Sequence, residues 1–364
     1  MSFLSARLKC RTIFRCSLLA LLGVIGARHA DPALAAPDCN AHTDPYSESV
    51  TDRQACGLRS FARENVERVT TGLARGSTAY NYMVDGLPMS YFVPPASFDP
   101  ATASADALRA LGIPTEPPAS NPDGQALWLA MVHNMKFVAP PTTIVSVPGV
   151  TVPGPTANAT SSNWSGIINT GGAGAYSEAS ATYYEPVLGS TSCSNNSAVF
   201  WDGLGGNVGS SHLAQNGTAV NVSGLGQHQG WTEVLPAQQS VVAQPISASA
   251  GHSFLAETVH NSGNTFHFYF YNYYTAQALD LSVTADGYDG STAEYIAERP
   301  SYSGHLYGLT NFQHITFEQT QTNGKSSHVF GYQADTMYNG SDVLAIPHNY
   351  DSSGKFEVDW YACL

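Results

Sequence analysis

The chain has 364 residues, of which 43% are hydrophobic and 12% charged, and a formal net charge of −13. That length admits two or three domains with a sizeable core. The charge argues against a nucleic-acid partner: from Thr156 onward sixteen Asp and Glu stand beside only three strong cations, Arg299, Lys325 and Lys355, too few to neutralise a phosphate backbone. Acid unfolds many proteins partly because protonation leaves cations repelling one another. A region with so few Lys and Arg limits that repulsion and suits an acid habitat, as it would any soluble extracellular setting.

In chain order, Arg7, Lys9, Arg11 and Arg15 precede an apolar run at 17–27, and Ala33, Leu34 and Ala35 supply a small-x-small cleavage pattern. Residues 1–35 therefore read as a secretory signal peptide, and the expected location is secreted and extracellular. The apolar run is shorter than the roughly twenty residues a membrane span needs, and no later segment is long and apolar enough, so no membrane contact is expected once the signal is removed. Cys39, Cys56, Cys193 and Cys363 remain, an even number in an oxidising compartment. Of three connectivities, proximity and the domain boundary below favour Cys39 with Cys56 and Cys193 with Cys363. No CxxC or HExxH spacing suggests a metal, and no metal or cofactor is expected.

Residues 36–155 read as a mainly helical segment ending in a connector. Ala55, Leu58, Ala62, Val66, Val69 and Leu73 recur at spacings of three and four, which predicts an amphipathic helix over 52–74. A turn from Phe98 and a cap at Ser104 open a second short helix, and a third is expected over 123–135. The Pro- and Gly-punctuated stretch 138–155 is the connector. Seven of the ten cations after the signal precede its end. The segment is therefore expected to pair with the acidic region as a propeptide and to be released by acid.

Residues 156–364 read as all-β. Runs at 182–184, 198–201, 265–274, 293–298 and 312–317 are β-branched or aromatic and are separated by Gly, Asn and Ser clusters. In the longest, Phe266, Phe268 and Phe270 lie on a face suited to a core, while His267, Tyr269 and Tyr271 lie on one suited to a polar cleft or solvent. Many short strands over this length imply an antiparallel two-sheet β-sandwich.

The most chemically suggestive segments are Leu213-Ala-Gln-Asn-Gly217 and Ala293-Glu-Tyr-Ile-Ala-Glu298. Alternation puts Glu294, Ile296 and Glu298 on one face of a strand. A carboxylate beside apolar side chains is costly to ionise, which is how a carboxyl becomes a useful acid or base. Taken alone, Gln215 at a Gly- and Asn-rich strand end reads as a solvated turn residue, and Glu298 followed by Arg299 as a strand-end salt bridge.

These segments belong to an ordered set that also includes Asn163-Trp-Ser-Gly166, Phe200-Trp-Asp-Gly-Leu-Gly-Gly206 and Trp231-Thr-Glu-Val-Leu-Pro236. The stretch they span, roughly 163–317, resembles the glutamic peptidases, or eqolisins, secreted acid endopeptidases with a concanavalin-like β-sandwich. The region from Phe98 to Leu108 is similar to N-terminal segments of bacterial members. The resemblance implies a catalytic dyad of Gln215 and Glu298. Ionised Glu298 would take a proton from the attacking water and pass it to the leaving amine, while the Gln215 amide holds the water and donates to the oxyanion without titrating. Polypeptide substrates, insensitivity to pepstatin, the chain's own propeptide as inhibitor and a monomeric state are the matching expectations.

Glu294 is the rival base. Trp164, Trp201 and Trp231 are either subsite walls or core residues, and Glu233 matches a family acidic residue that would orient a water or a substrate amine. Gly205 stands where the family has Asp, with the carboxylate moved to Asp202, which alternation sends to the other face. Gln229 stands at another acidic position, and Val234 and Leu235 replace aromatics. An impaired homologue is therefore one alternative. Another is a lectin-like carbohydrate-binding sandwich, which needs neither dyad nor propeptide. A glycoside hydrolase would require two carboxylates, for which Glu233 and Glu298 are available, leaving Gln215 idle.

Overall fold

Short β-branched and aromatic runs broken by Gly and Asn bury themselves by pairing edge to edge, and from Trp164 onward they do so in long antiparallel ladders. The computed structural model describes residues 45–46, 49–157, 159–191, 193–207, 210, 212–222, 224–238, 240–261 and 264–364. The first sheet runs, in spatial order, through Tyr332–Asn339, Trp164–Thr170, Thr292–Glu298, Asn196–Gly205, Leu213–Val220, Gln229–Leu235 and Ser240–Ser247. The second runs through Phe356–Trp360, His314–Thr322, Glu178–Tyr184, Ser253–Asn261, Thr265–Asn272 and Gln277–Thr284. Phe200, Tyr295, Tyr183, Phe254, Phe268 and Phe270 fill the space between them, so the protein is the expected all-β two-sheet sandwich. Cys193 and Cys363 form the expected disulfide. Cys56 is disulfide-bonded, while Cys39, the leader at 1–35 and Asn158 lie outside the described residues. Among the described residues no helix is long and apolar enough to cross a membrane.

The segment before Thr156 corrects the mainly helical expectation. The first helix, Val50–Ala55, stops before Gly57, whose φ of +75° is left-handed. Arg59–Arg68 is then a strand, pairing with Thr78–Val84 and with Thr143–Pro148. The apolar spacing of three and four suits a helix, yet strand partners on two sides satisfy the backbone and override it. The Thr78–Val84 and Leu87–Val93 hairpin extends the second sheet beside Gln277–Thr284. Thr143–Pro148 extends the first beside Ser240–Ser247. Both sheet edges on this side are thereby covered, which removes an open template for pairing with other chains.

The other two helices, Ala105–Arg109 capped by Ser104 and Pro122–Asn134, fall where the caps and periodicity place them. Leu108, Leu111, Trp128 and Met131 pack on Tyr269 and Tyr271 at the outer face of the second sheet. The face that reads as polar cleft or solvent is therefore covered by helices. The connector is also no free linker: Val145, Val147, Val150 and Val152 pack against Trp164, Trp201 and Trp231 on the outer face of the first sheet.

Gly217 sits opposite Trp201 on one neighbouring strand and Trp231 on the other. A Cβ there would collide with the Phe200 carbonyl oxygen and come within 2.7 Å of Trp201 Cα. Gly217→Ala is expected to cost about 1–3 kcal/mol, as overpacking does, and to lower the denaturation midpoint. An unchanged midpoint would contradict this close register.

Candidate active site

The outer face of the first sheet collects the polar residues singled out from sequence. Gln215 lies opposite Glu233 on one neighbouring strand and opposite Gly203 on the other. Glu294 also lies opposite Gly203, while Glu298 lies opposite Val199, four residues along the same strand. Gly203 leaves room for the Trp201 ring, since a Cβ there would be 2.8 Å from Trp201 Cζ3. Trp201 meets Trp164 edge to face with ring centres 4.9 Å apart. Gln215, Glu233, Glu294, Glu298, Trp164, Trp201 and Trp231 are 0% exposed, which rules out the solvated-turn reading of Gln215.

The cover over this face is the end of the connector. Gln215 Nε2 donates to the Val152 carbonyl at 2.7 Å and to Glu233 Oε2 at 3.1 Å. The Val152 N–H donates to the same Glu233 oxygen at 2.8 Å. Trp164 Nε1 donates to the Pro153 carbonyl at 2.9 Å. The Asn163 amide reaches the Pro153 and Gly154 carbonyls at 3.1 and 3.0 Å. Side chains of the sheet thus hold the backbone of Val152, Pro153 and Gly154, a manner of binding that does not depend on sequence.

Glu298 accepts from Asn163 Nδ2 on one oxygen and from Trp201 Nε1 on the other, each at 3.1 Å. No hydrogen bond joins it to Gln215. Asn163 links the connector to Glu298, since one amide nitrogen serves both the Gly154 carbonyl and Glu298. Burial pushes the Glu298 carboxyl well above the ordinary range; Asn163 opposes the shift and the nearby Glu233 adds to it. Burial likewise pushes Glu233 up to about 8, against the pull of the Val152 N–H and Gln215. Arg299 is no salt-bridge partner for Glu298, because its guanidinium donates to the Tyr307 and Ser162 carbonyls.

Glu294 is set apart. Both its oxygens are buried; burial raises its carboxyl, the neighbouring Thr292 hydroxyl opposes the rise, and the charges of Asp289 and Asp202 add to it. Asp202 lies between the sheets beside Tyr183 and Thr258, on the face alternation assigns it. Gly205 has φ +84°, and a Cβ would crowd the His212 carbonyl and the Tyr288 ring, so this backbone leaves no place for an Asp side chain. Gln229 serves the neighbouring strand, donating to the Gln244 and Ile246 carbonyls. Sequence reasoning gives no role to Asn163 or to Val152, Pro153 and Gly154. Asn163 stands in a family landmark just before a strand, a usable signal; nothing local marks Val152 as buried.

Among the described residues no group of three or more His, Cys, Asp or Glu is placed to hold a metal ion. The described ion pairs also narrow the charge argument: one, Arg109 with Glu178 at 3.9 Å, joins a cation before Thr156 to a carboxylate after it. Among the described residues, release by acid through broken ion pairs would have this one loose contact to act on.

A sequence model described as the peptidase A4 family matches residues 162–357. No curated protein matches the chain. Among solved structures, the chain is similar to scytalido-glutamic peptidase with a transition state analog inhibitor, at 19% identity and a TM-score of 0.46, covering 55% of this chain and 98% of that one. It is also similar to aspergilloglutamic peptidase from Aspergillus niger, at 19% identity and a TM-score of 0.39, covering 46% and 99%.

A carboxyl raised by burial stabilises the fold fully below its unfolded pKa, and that contribution is lost as pH rises through the folded value. For Glu233 the window runs from the ordinary 4.5 to about 8. The melting temperature of the full chain is expected to fall as pH rises across that window, and Glu233→Gln is expected to flatten part of the fall. A melting temperature that climbs across it would contradict a neutral, buried Glu233.

Proposed function

This chain belongs to the peptidase A4 family and is a glutamic-type peptidase, and from that premise we propose that it is a secreted acid endopeptidase using Gln215 and Glu298. The observation that carries the reading is the 2.7 Å hydrogen bond from Gln215 Nε2 to the Val152 carbonyl. An amide that already grips a peptide carbonyl is placed to grip one whose oxygen is gaining charge. Residues 36–155 act in this reading as a propeptide that inhibits its own enzyme, since Val152 to Gly154 fill the groove a substrate would occupy. The basic and apolar leader fits secretion. A monomer suffices, because one chain supplies every group named.

Whenever the segment over the site loosens or leaves, water reaches Glu298, and relief of desolvation brings its carboxyl down toward the ordinary range. In mild acid it is then ionised enough to take a proton from water as the water attacks the scissile carbonyl carbon. The same carboxyl returns that proton to the departing nitrogen. Gln215 binds the oxyanion while remaining neutral. Glu233, close enough to raise Glu298, disfavours ionising both carboxyls together, which draws the working range into acid. A peptide backbone held by both its N–H and its C=O favours this reading over the sugar-binding ones.

The test is digestion of denatured casein by the processed protein in acid, alongside polysaccharides. Cleavage of casein alone, persisting with pepstatin, is expected. Gln215→Ala should lower kcat about 10²–10³-fold, as loss of an oxyanion donor does. Glu298→Gln should reduce cleavage to background, and Glu294→Gln should have a much smaller effect. Full activity in Glu298→Gln, with loss in Glu294→Gln, would move the base to the rival carboxyl. Polysaccharide binding without casein cleavage would replace the reading altogether.

A further inference from the structure

The segment in the groove is bound in a definite register. Val150–Thr151 pairs with Ser301–Tyr302, and beyond it the chain leaves the ladder and lies over the sheet. There the two polar atoms of Val152 are taken by two different side chains, its carbonyl by Gln215 and its N–H by Glu233. The next two carbonyls go to Trp164 and Asn163. Val150 and Val152 are both 0% exposed and share an apolar cluster with Trp164, Trp201 and Trp231. At position 154 a Cβ would come within 2.6 Å of the Gly206 carbonyl oxygen, so only glycine fits without a shift of backbone. This fixes which residue lies over which group.

We propose that the Val152–Pro153 peptide bond occupies the position of the scissile bond, and that Pro153 makes the segment a lock instead of a substrate. This rests on the roles of Gln215 and Glu298 proposed above. Among the described carbonyls of the segment, Val152 is the one gripped by Gln215, and its bond partner is the proline nitrogen. Proline carries a ring carbon where other residues carry the amide hydrogen, and its ring fixes φ. The leaving nitrogen is therefore shielded on one side and cannot turn to receive a proton. Hydrolysis would add the water oxygen to the Val152 carbonyl carbon and break its bond to the residue-153 nitrogen. One water proton would pass through Glu298 to that nitrogen, and the other would stay on the new carboxyl group until it ionised. The register also names the substrate: an extended polypeptide with a small apolar residue, such as Val, on the acyl side and any residue but proline on the amino side.

The test is Pro153→Ala in the full chain, incubated in acid and followed by intact mass and amino-terminal sequencing. The expected result is conversion to fragments 1–152 and 153–364, less any leader removed, while the wild-type chain stays whole at that bond. The Glu298→Gln, Pro153→Ala double variant should also stay whole. A ten-residue peptide of positions 147–156 gives the same answer without relying on a variant's folding. The wild-type peptide should slow casein digestion and be recovered intact, whereas its Pro153→Ala form should be cut between positions 152 and 153. Cleavage at another bond of the segment, or an uncut Pro153→Ala peptide in the presence of enzyme that digests casein, would overturn the register while leaving the peptidase reading in place. Failure to cut either peptide or casein would overturn both.

Discussion

Two polar side chains on the outer face of the first sheet, Gln215 and Glu233, are buried against backbone that another part of the chain brings to them. Gln215, Glu233 and Glu298 sit under apolar cover where water cannot solvate them, and an unpaired polar group in such a place costs several kcal/mol. The connector offsets this with the Val152 N–H for Glu233 and the Val152 carbonyl for Gln215. Asn163 and Trp201 do the same for Glu298. The arrangement couples two otherwise separate facts, the apolar valines of the connector and the carboxyls of the sheet.

The same coupling bears on the glycines at the end of the Asn196–Gly205 strand. Against the family pattern, Gly205 looks like a lost carboxylate. In the folded chain it and Gly206 take left-handed φ values of +84° and +86°, and the Gly206 carbonyl lies against Gly154. The local backbone therefore receives the connector closely, and a side chain at 205 would meet the Tyr288 ring instead of the groove. The departure is better understood as part of how this groove is closed than as a missing hydrogen-bond partner for Glu298.

What was legible in the sequence follows from how local its causes are. A two-residue period fixes the faces of the Thr292–Glu298 and Thr265–Asn272 strands, so the shared face of Glu294 and Glu298 and the core face of Phe266, Phe268 and Phe270 could be read directly. The helix at Ala105–Arg109 was legible through its Ser104 cap. Arg59–Arg68 was not, because its identity comes from partners at 78–84 and 143–148 and not from its own apolar spacing. The connector was opaque for a related reason. Pro and Gly mark it as irregular, but irregular chain is buried when side chains across the fold satisfy its backbone, and no local pattern announces that Gln215 will do so.

Buried carboxyls bear on stability in acid in a way that a count of cations does not show. Of the sixteen Asp and Glu after Thr156, eight are raised by burial: Glu178, Asp202, Glu233, Glu257, Asp280, Glu294, Glu298 and Asp335. Where these groups titrate, the folded chain binds more protons than the unfolded one, so stability falls as pH rises and acid favours the folded chain. Few cations would only limit repulsion in acid, whereas buried neutral carboxyls make acid the condition in which the packing is satisfied. Of these groups Glu233 takes the Val152 N–H and Glu298 shares Asn163 with the Gly154 carbonyl, so protonating the two favours their burial under the connector. In the reading proposed above, freeing Gln215 and Glu298 in acid then rests on a cut in the chain before Thr156 more than on ion pairs, of which Arg109 with Glu178 is the one that bridges the two regions among the described residues.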